Sequence, residues 1–337
     1  MAAASIYPLK FKPRFVEKIW GGRKIETVLG KSLPADKRIG ESWEIYDFPP
    51  GVVEKSIDWV SVEIANGPLA GRSLHWVVGE LGADLYGSSP LSGPHGQFPL
   101  LIKFLDARED LSVQVHPDLA YANANPGAHI KTEAWYVLQS DPGSRLLKGL
   151  KPDVTREAFQ NAIHRGDVEN LIYQVPASAG DCYYLPSGTV HALGAGILVA
   201  EVQTPSDTTF RVFDFNRVEA DTGKPRELHI EQAMACIDFS PHAAEAPESV
   251  DTDGAGPLVD SPFFRLHRST LPPTGVRKLD DGMPLILIGL EGVVRVIVSG
   301  SEVSMMPGEV VLVPAAGKNG AVHADVGGNW LEVELPR

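Results

Sequence analysis

Two polar side chains, Gln114 and His116, interrupt the otherwise apolar segment Leu-Ser-Val-Gln-Val-His-Pro at residues 111–117. On a strand, residues two apart leave the same face, so the amide and the imidazole would point together. Burying both groups is costly unless something binds them. A metal ion is one such partner, and a solvent-facing pair is the other interpretation; this segment alone supports the two equally.

Two further segments offer metal ligands. Glu133 begins a buried-looking strand in Lys-Thr-Glu-Ala-Trp, and His191 follows a tight turn in Pro-Ser-Gly-Thr-Val-His. With Gln114 and His116 they provide two imidazole nitrogens and two oxygens. This set suits zinc or another divalent first-row metal, with positions left open for substrate or water. Because the chain has only 2 cysteines, an all-thiolate structural site is excluded.

The elements that must position these residues are predicted to be mainly strands. The chain has 33 Gly and 27 Pro, which fall between short apolar runs and indicate many turns. Strands are predicted at residues 135–138, 182–185 and 197–202, and helices at residues 73–81 and 228–236. Thr155 and Asp167 are suitable N-caps for two short helices, which predict a helical insertion at about residues 151–175.

The length of 337 residues favours two domains rather than one compact core. Gly-Asp-Cys-Tyr-Tyr-Leu-Pro at residues 180–186 aligns with Gly-Glu-Val-Val-Leu-Val-Pro at residues 308–314, and each precedes a His, His191 or His323. The match is short and could be chance, but it favours two related β-barrels. Residues 240–257 resemble a linker. The predicted domains are residues 1–245 and residues 246–337, the second without a metal site.

The composition restricts the partners. With 30 basic and 43 acidic residues the formal net charge is −13, which argues against nucleic acid or an anionic membrane. An anionic small substrate would then need a local basic cluster. Cys182 and Cys236 cannot form a disulfide framework, and no segment resembles a signal peptide or a membrane span. We therefore expect a cytoplasmic protein.

The sequence resembles the type I mannose-6-phosphate isomerase family of the cupin superfamily. Six segments carry the resemblance in family order, and the match extends more weakly to the C-terminus. They are Trp-Gly-Gly at residues 20–22, Gly-Glu-Ser-Trp-Glu at 40–44, residues 111–117, 131–135 and 186–191, and Glu-Val-Gln-Thr-Pro-Ser-Asp-Thr-Thr-Phe-Arg-Val-Phe-Asp-Phe-Asn-Arg at 201–217. The resemblance implies two cupin-like jelly-roll β-barrels and one divalent metal ion, preferably zinc. Its metal ligands carry over to Gln114, His116, Glu133 and His191.

The resemblance also assigns roles around the metal. Arg211 matches an active-site arginine, Glu201 an acidic residue near the metal, and Lys131 a lysine placed to meet substrate. Ser112 matches a serine that lines the site, and Lys103 falls where many members have a lysine. Some members have a His directly before the lysine and a Tyr two residues after the last ligand. This chain has Ile130 and Leu193 there, so those roles do not transfer.

The implied reaction interconverts mannose 6-phosphate and fructose 6-phosphate through an enediol-type intermediate. Arg211 would stabilise the developing charge, and Glu201 and Lys131 are both candidates for the general base. Three alternatives remain: an isomerase of the same fold for another sugar or sugar phosphate, a non-catalytic cupin that binds sugar phosphate, and a metal-dependent dioxygenase. A monomer or a homodimer is expected.

Overall fold

The computed structural model describes residues 6–53, 58–89, 93–218, 223–240 and 257–335. Up to residue 240 the strands are β1 (Leu9–Lys10), β2 (Arg14–Gly22), β3 (Ile39–Ile45), β4 (Asp47–Phe48), β5 (Val60–Ser61), β6 (Leu101–Ala107), β7 (Val113–Val115), β8 (Glu133–Ser140), β9 (Arg145–Leu150), β10 (Ile172–Pro176), β11 (Cys182–Leu185), β12 (His191–Ala192), β13 (Ile197–Gln203) and β14 (Phe210–Phe213). From residue 257 they are β15 (Val259–Asp260), β16 (Arg265–Leu271), β17 (Gly275–Lys278), β18 (Leu285–Val298), β19 (Ser301–Met305), β20 (Val310–Val313) and β21 (Ala321–Glu334). The helices are α1 (Lys24–Thr27), α2 (Leu74–Tyr86), α3 (Leu119–Ala124), α4 (Arg156–Arg165) and α5 (Ile230–Cys236). The mainly β prediction is confirmed.

Two antiparallel sheets enclose the region that carries the candidate ligands. The first has the strand order β11-β8-β13-β6-β2-β3, and the second has the order β10-β9-β12-β7-β14. Leu105, Val137 and Val199 of the first sheet share a hydrophobic cluster with Leu146 of the second. The two sheets therefore pack against each other, and side chains from both point into the space between them.

The third large sheet joins the two ends of the chain. Its strand order is β1-β20-β18-β21-β16-β15, with β17 and β19 on its flanks. Leu9 of β1 pairs with Leu312 of β20, and both belong to one buried cluster with Phe104 of β6. A strand from the first part of the chain thus completes the sheet of the last part. The division at residue 245 and the two-barrel arrangement stay predictions.

The helices begin where the sequence supplies caps. Ser73 Oγ accepts a hydrogen bond from Trp76 N at the start of α2, and Thr155 Oγ1 accepts one from Ala158 N at the start of α4. The prediction of a second helix within residues 151–175 is wrong about its length, because the helical segment is shorter than expected. Val168–Leu171 forms one 3-10 turn, and the chain continues as β10. Pairing of β10 with β9 satisfies its backbone groups there.

Both copies of the internal match contain a strand. Residues 180–186 include β11 and residues 308–314 include β20, each entered from a glycine with positive φ, Gly180 at 96° and Gly308 at 76°. Most of the predicted linker, residues 241–256, lies outside the described residues. Among the described helices, none is long and apolar enough to cross a membrane.

Candidate metal centre and surrounding cavity

The register of the second sheet aligns three of the predicted site residues. His191 of β12 and Arg211 of β14 each lie opposite Gln114 of β7. Directly paired residues on adjacent strands project from the same face. The sheet therefore presents a guanidinium, an amide and an imidazole in one row. His116 follows directly after β7 and is 1% exposed, so the solvent-facing interpretation of this segment is wrong.

The register of the first sheet forms the opposing row. Glu201 of β13 lies between Lys103 of β6 and Trp135 of β8, and Glu133 stands at the start of β8 opposite Gln203. Lys103, Glu133 and Glu201 are all buried. Charged groups are seldom this buried unless they are paired or bind a ligand, so this face of the sheet is built around polar chemistry.

Three of the four predicted ligands converge on one point. The ligand atoms of His116, Glu133 and His191 all lie within 4.8 Å of one another. His191 Nε2 is 3.1 Å from Glu133 Oε1, and His116 Nε2 is 3.5 Å from Glu133 Oε2. The amide of Gln114 adjoins this group, with its Nε2 3.4 Å from His191 Nε2. Rotation of that amide would present Oε1 to the same point.

Hydrogen bonds from the outer side fix both imidazoles. His116 Nδ1 is 3.1 Å from Thr208 O, and His191 Nδ1 is 2.8 Å from Thr189 O. A carbonyl oxygen only accepts, so each Nδ1 carries a proton, and each Nε2 is left as the ring atom that faces Glu133 and can bind a metal. This is the arrangement that orients metal-bound histidines in proteins.

The centre contains buried polar atoms that a cation would satisfy. His116 Nε2 and both oxygens of Glu133 have no hydrogen-bond partner among the described residues. Burial lowers the pKa of His116 to about 3, and Lys131 acts in the same direction, so the imidazole stays neutral. Burial opposes ionisation of Glu133, but the ammonium of Lys131 acts against it, and the pKa of Glu133 is held well below the ordinary value. Neutral imidazoles and an ionised carboxylate are the forms that bind metals.

A cavity of about 260 Å³ opens beside this centre. Its walls include the predicted substrate residues Lys103, Ser112, Lys131 and Arg211, and also Glu201. Ser112 Oγ lies 3.4 Å from Gln114 Oε1, and Lys131 Nζ lies 3.2 Å from Glu133 Oε2. The structure thus brings every predicted site residue to the metal centre or to this cavity.

Glu201 has the most altered environment among the candidate bases. Its Oε1 lies 3.2 Å from Lys103 Nζ, and its Oε2 accepts a hydrogen bond from Trp135 Nε1 at 3.2 Å. Burial raises the pKa of Glu201 to about 7, the charge of Glu133 adds to this rise, and Lys103 opposes it. A carboxyl group with a pKa near neutrality can accept and return a proton at physiological pH.

Four ionisable residues of the cavity wall escaped the sequence prediction: Lys18, Glu41, Asp207 and Arg226. Glu41 and Asp207 lie inside two of the segments that carry the family resemblance. Their place in those segments could have identified them as site residues. Lys18 and Arg226 lie in none of them. Lys18 Nζ is 3.1 Å from Glu41 Oε1, and the guanidinium of Arg226 binds Asp214 through two hydrogen bonds of 2.7 and 2.5 Å.

Comparisons with known proteins agree with this geometry. Residues 9–143 match the family model of the phosphomannose isomerase type I catalytic domain. The chain is 36% identical to a mannose-6-phosphate isomerase of Streptococcus mutans over 95% of this chain and 96% of that protein. It is 35% identical to mannose-6-phosphate isomerase ManA of Bacillus subtilis over 91% of this chain and 93% of that protein.

Solved structures give the same result. The fold matches the crystal structure of mannose 6-phosphate isomerase from Bacillus subtilis with a TM-score of 0.82 and 29% identity, over 98% of this chain and 100% of that one. A zinc-bound mannose 6-phosphate isomerase shares the fold with a TM-score of 0.69 and 17% identity, over 98% of this chain and 100% of that one. Family match, near-complete coverage and the shared fold together make this chain a member of the mannose-6-phosphate isomerase family of enzymes.

Proposed function

We propose that this protein is a metal-dependent aldose–ketose isomerase that interconverts mannose 6-phosphate and fructose 6-phosphate through an enediol-type intermediate. The observation that carries the proposal is the buried convergence of His116, Glu133 and His191 beside a cavity that holds Glu201. A ligand set with open positions and a carboxylate tuned near neutrality can together promote proton transfer next to a carbonyl.

Gln114, His116, Glu133 and His191 would hold the cation. Two nitrogens and two oxygens favour zinc, and the zinc-bound relative supports this choice. When bound, the cation would supply Lewis acidity for the oxygens on the two reacting carbons. The orphaned atoms of His116 and Glu133 are the structural support for its place in the centre.

Glu201 is our choice for the general base. It moves the proton between the first and second carbons of the opened sugar, taking it on Oε1 or Oε2 and returning it to the neighbouring carbon. Trp135 and Lys103 hold its two oxygens in place, which limits the reorganisation needed for transfer. Lys131 is less suited because its ammonium is engaged by the carboxylate of Glu133 at 3.2 Å.

Arg211 stabilises the charge that develops on the sugar oxygens. It lies opposite Gln114 on the second sheet, and it lines the same cavity as Glu201. The Nη1 atom donates a hydrogen bond of 2.8 Å to Glu227 O, which orients the guanidinium. A fixed cation of this kind acts without reorganising during the reaction.

The basic groups of the cavity suit a phosphorylated substrate. Five cationic side chains line it against four acidic ones, within a protein of net charge −13; the cations are Lys18, Lys103, Lys131, Arg211 and Arg226. A phosphate monoester carries close to two negative charges, and lysine and arginine are its usual protein partners. This local cluster supports a sugar phosphate over a neutral sugar.

The test is a coupled assay of the full-length protein on mannose 6-phosphate. Turnover should disappear after chelation, return with zinc, and fall to background in Glu133→Ala. Unphosphorylated mannose serves as the comparison substrate. A metal-loaded protein that binds mannose 6-phosphate without converting it would instead support a non-catalytic binding role. Conversion of mannose alone would identify an isomerase for another sugar.

A further inference from the structure

A second pair of histidines lies outside the proposed metal centre. His95 belongs to the loop that precedes β6, and His129 to the segment that precedes β8. Their Nε2 atoms are 3.3 Å apart, and their rings meet at 71° with centroids 5.5 Å apart. His95 is exposed and His129 is half-buried, so solvent reaches the pair.

The spacing of the two nitrogens matches that of two histidines on one cation. Zinc binds imidazole nitrogen at about 2.0–2.1 Å, and tetrahedral ligands at that distance are about 3.4 Å apart. The two Nε2 atoms are within about 0.1 Å of this value. In the absence of a cation, one imidazole Nε2–H donates to the other ring; when a cation binds, that proton would move to Nδ1 of the same ring by exchange with solvent, so that both Nε2 atoms present lone pairs.

Hydrogen bonds hold both residues in this arrangement. His95 N donates to Oε1 of the buried Gln97 at 2.7 Å. His129 N donates to Thr208 Oγ1 at 3.1 Å, and His129 O accepts from Ser206 Oγ at 3.0 Å. Burial lowers the pKa of His129, with His95 acting in the same direction, which favours the neutral ligand form. These bonds hold the backbone of both residues in place, and the 3.3 Å contact between the Nε2 atoms relates the two rings.

We propose that His95 and His129 form a second, solvent-accessible site for a divalent first-row transition-metal cation such as zinc. Water would fill the positions that the two imidazoles leave open. The site is independent of the proposed isomerase activity, because none of its ligands belongs to the centre at Glu133. The two sites share one hydrogen-bonding residue, Thr208. Its hydroxyl accepts from His129 N, and its carbonyl accepts from His116 Nδ1.

The test counts zinc on the full-length protein. Metal-free protein is titrated with Zn²⁺ by calorimetry, and bound zinc is measured after dialysis. Two unequal equivalents are expected, and the weaker one should lose at least about tenfold in affinity in His95→Ala and in His129→Ala. Glu133→Ala should lose the tighter equivalent and keep the weaker one. His164→Ala, which removes an exposed histidine of α4, is the matched control and should keep both.

The result that overturns the proposal is a single equivalent in the unaltered protein, or a weaker equivalent that survives both His95→Ala and His129→Ala. Circular dichroism on each variant checks the fold. The exposed position of His95 makes His95→Ala informative even if His129→Ala fails to fold. Because the readout is bound zinc, the result stands whether or not mannose 6-phosphate proves to be the substrate.

Discussion

Lowering the pH from 8 to 6 is expected to slow isomerisation because it protonates Glu201. Burial raises the pKa of this carboxyl group to about 7 from an ordinary 4.5, and the charge of Glu133 adds to the shift. The base acts only when ionised, so activity should be present above the raised pKa and should fall as the pH drops through it.

The size of the effect follows from the ionised fraction. With a pKa of about 7, about nine-tenths of Glu201 is ionised at pH 8 and about one-tenth at pH 6, which is about a tenfold loss of kcat. A cation at Glu133 would offset part of the repulsion between the two carboxylates. The pKa of Glu201 would then be lower, and the loss of kcat would be smaller. A carboxyl group of ordinary pKa would give no loss in this range.

The assay measures kcat at saturating mannose 6-phosphate between pH 5.5 and about 8.5, a range in which the substrate phosphate itself also titrates. Glu201→Gln removes the proposed base, so its residual activity should lack the acid limb, whereas titration of the substrate would persist in this variant. Glu44→Gln is the matched control, because Glu44 is buried, has a raised pKa and pairs with Lys31 at 2.9 Å, yet lies outside the cavity.

Two results would refute this reasoning. One is a flat kcat profile down to pH 5.5 with normal activity at pH 8. This would mean either that the pKa of Glu201 is not raised or that Glu201 is not the base. The other is an acid limb that survives in Glu201→Gln. Loss of metal at low pH is a separate cause of an acid limb, and zinc measured on the protein at pH 6 distinguishes the two.

Three further outcomes are expected. Arg211→Lys should lower kcat by about 100-fold, because an ammonium lacks the planar fork of the guanidinium. Thermal stability should change little. An unchanged kcat would remove Arg211 from the mechanism. Thr155→Ala should lower the free energy of unfolding in urea by about 1 kcal/mol because the N-cap of α4 is lost, and kcat should not change. Equal stability of the variant would contradict the capping role of Thr155. Trp330→Ala, which empties a fully buried position in the last sheet, should cost about 3–5 kcal/mol in the same measurement, and a cost below about 1 kcal/mol would show that the surrounding side chains close the space.

Much of the local structure could be predicted because short-range chemistry determines it. Glycine and proline bound the strand at residues 182–185, and serine and threonine caps with apolar spacing define the starts of α2 and α4. The region after Asp167 could not be predicted in this way. Its apolar residues fit a helix, but the pairing of Ile172 with Leu150 across 22 residues of chain decides the outcome.

In the candidate site, too, some features follow from neighbouring residues and others depend on pairing between distant parts of the chain. The side chains of Gln114 and His116 were predictable as a pair because they share one short segment. Their approach to His191 depends on the register between β7 and β12, which joins residues 77 apart in the chain. Lys18 and Arg226 enter the cavity wall from segments without a recognisable motif. Only the folded chain identifies such residues.

The pairing of β1 with β20 has a consequence for synthesis on the ribosome. Leu9 is made about 300 residues before its partner Leu312. At about 5–20 residues per second, β1 waits roughly 15–60 s for that partner. During this interval its backbone groups and the apolar face at Leu9 lack their native cover. The last sheet can therefore close only after Leu312 has been made, and until then the apolar face at Leu9 is open to aggregation or chaperone binding.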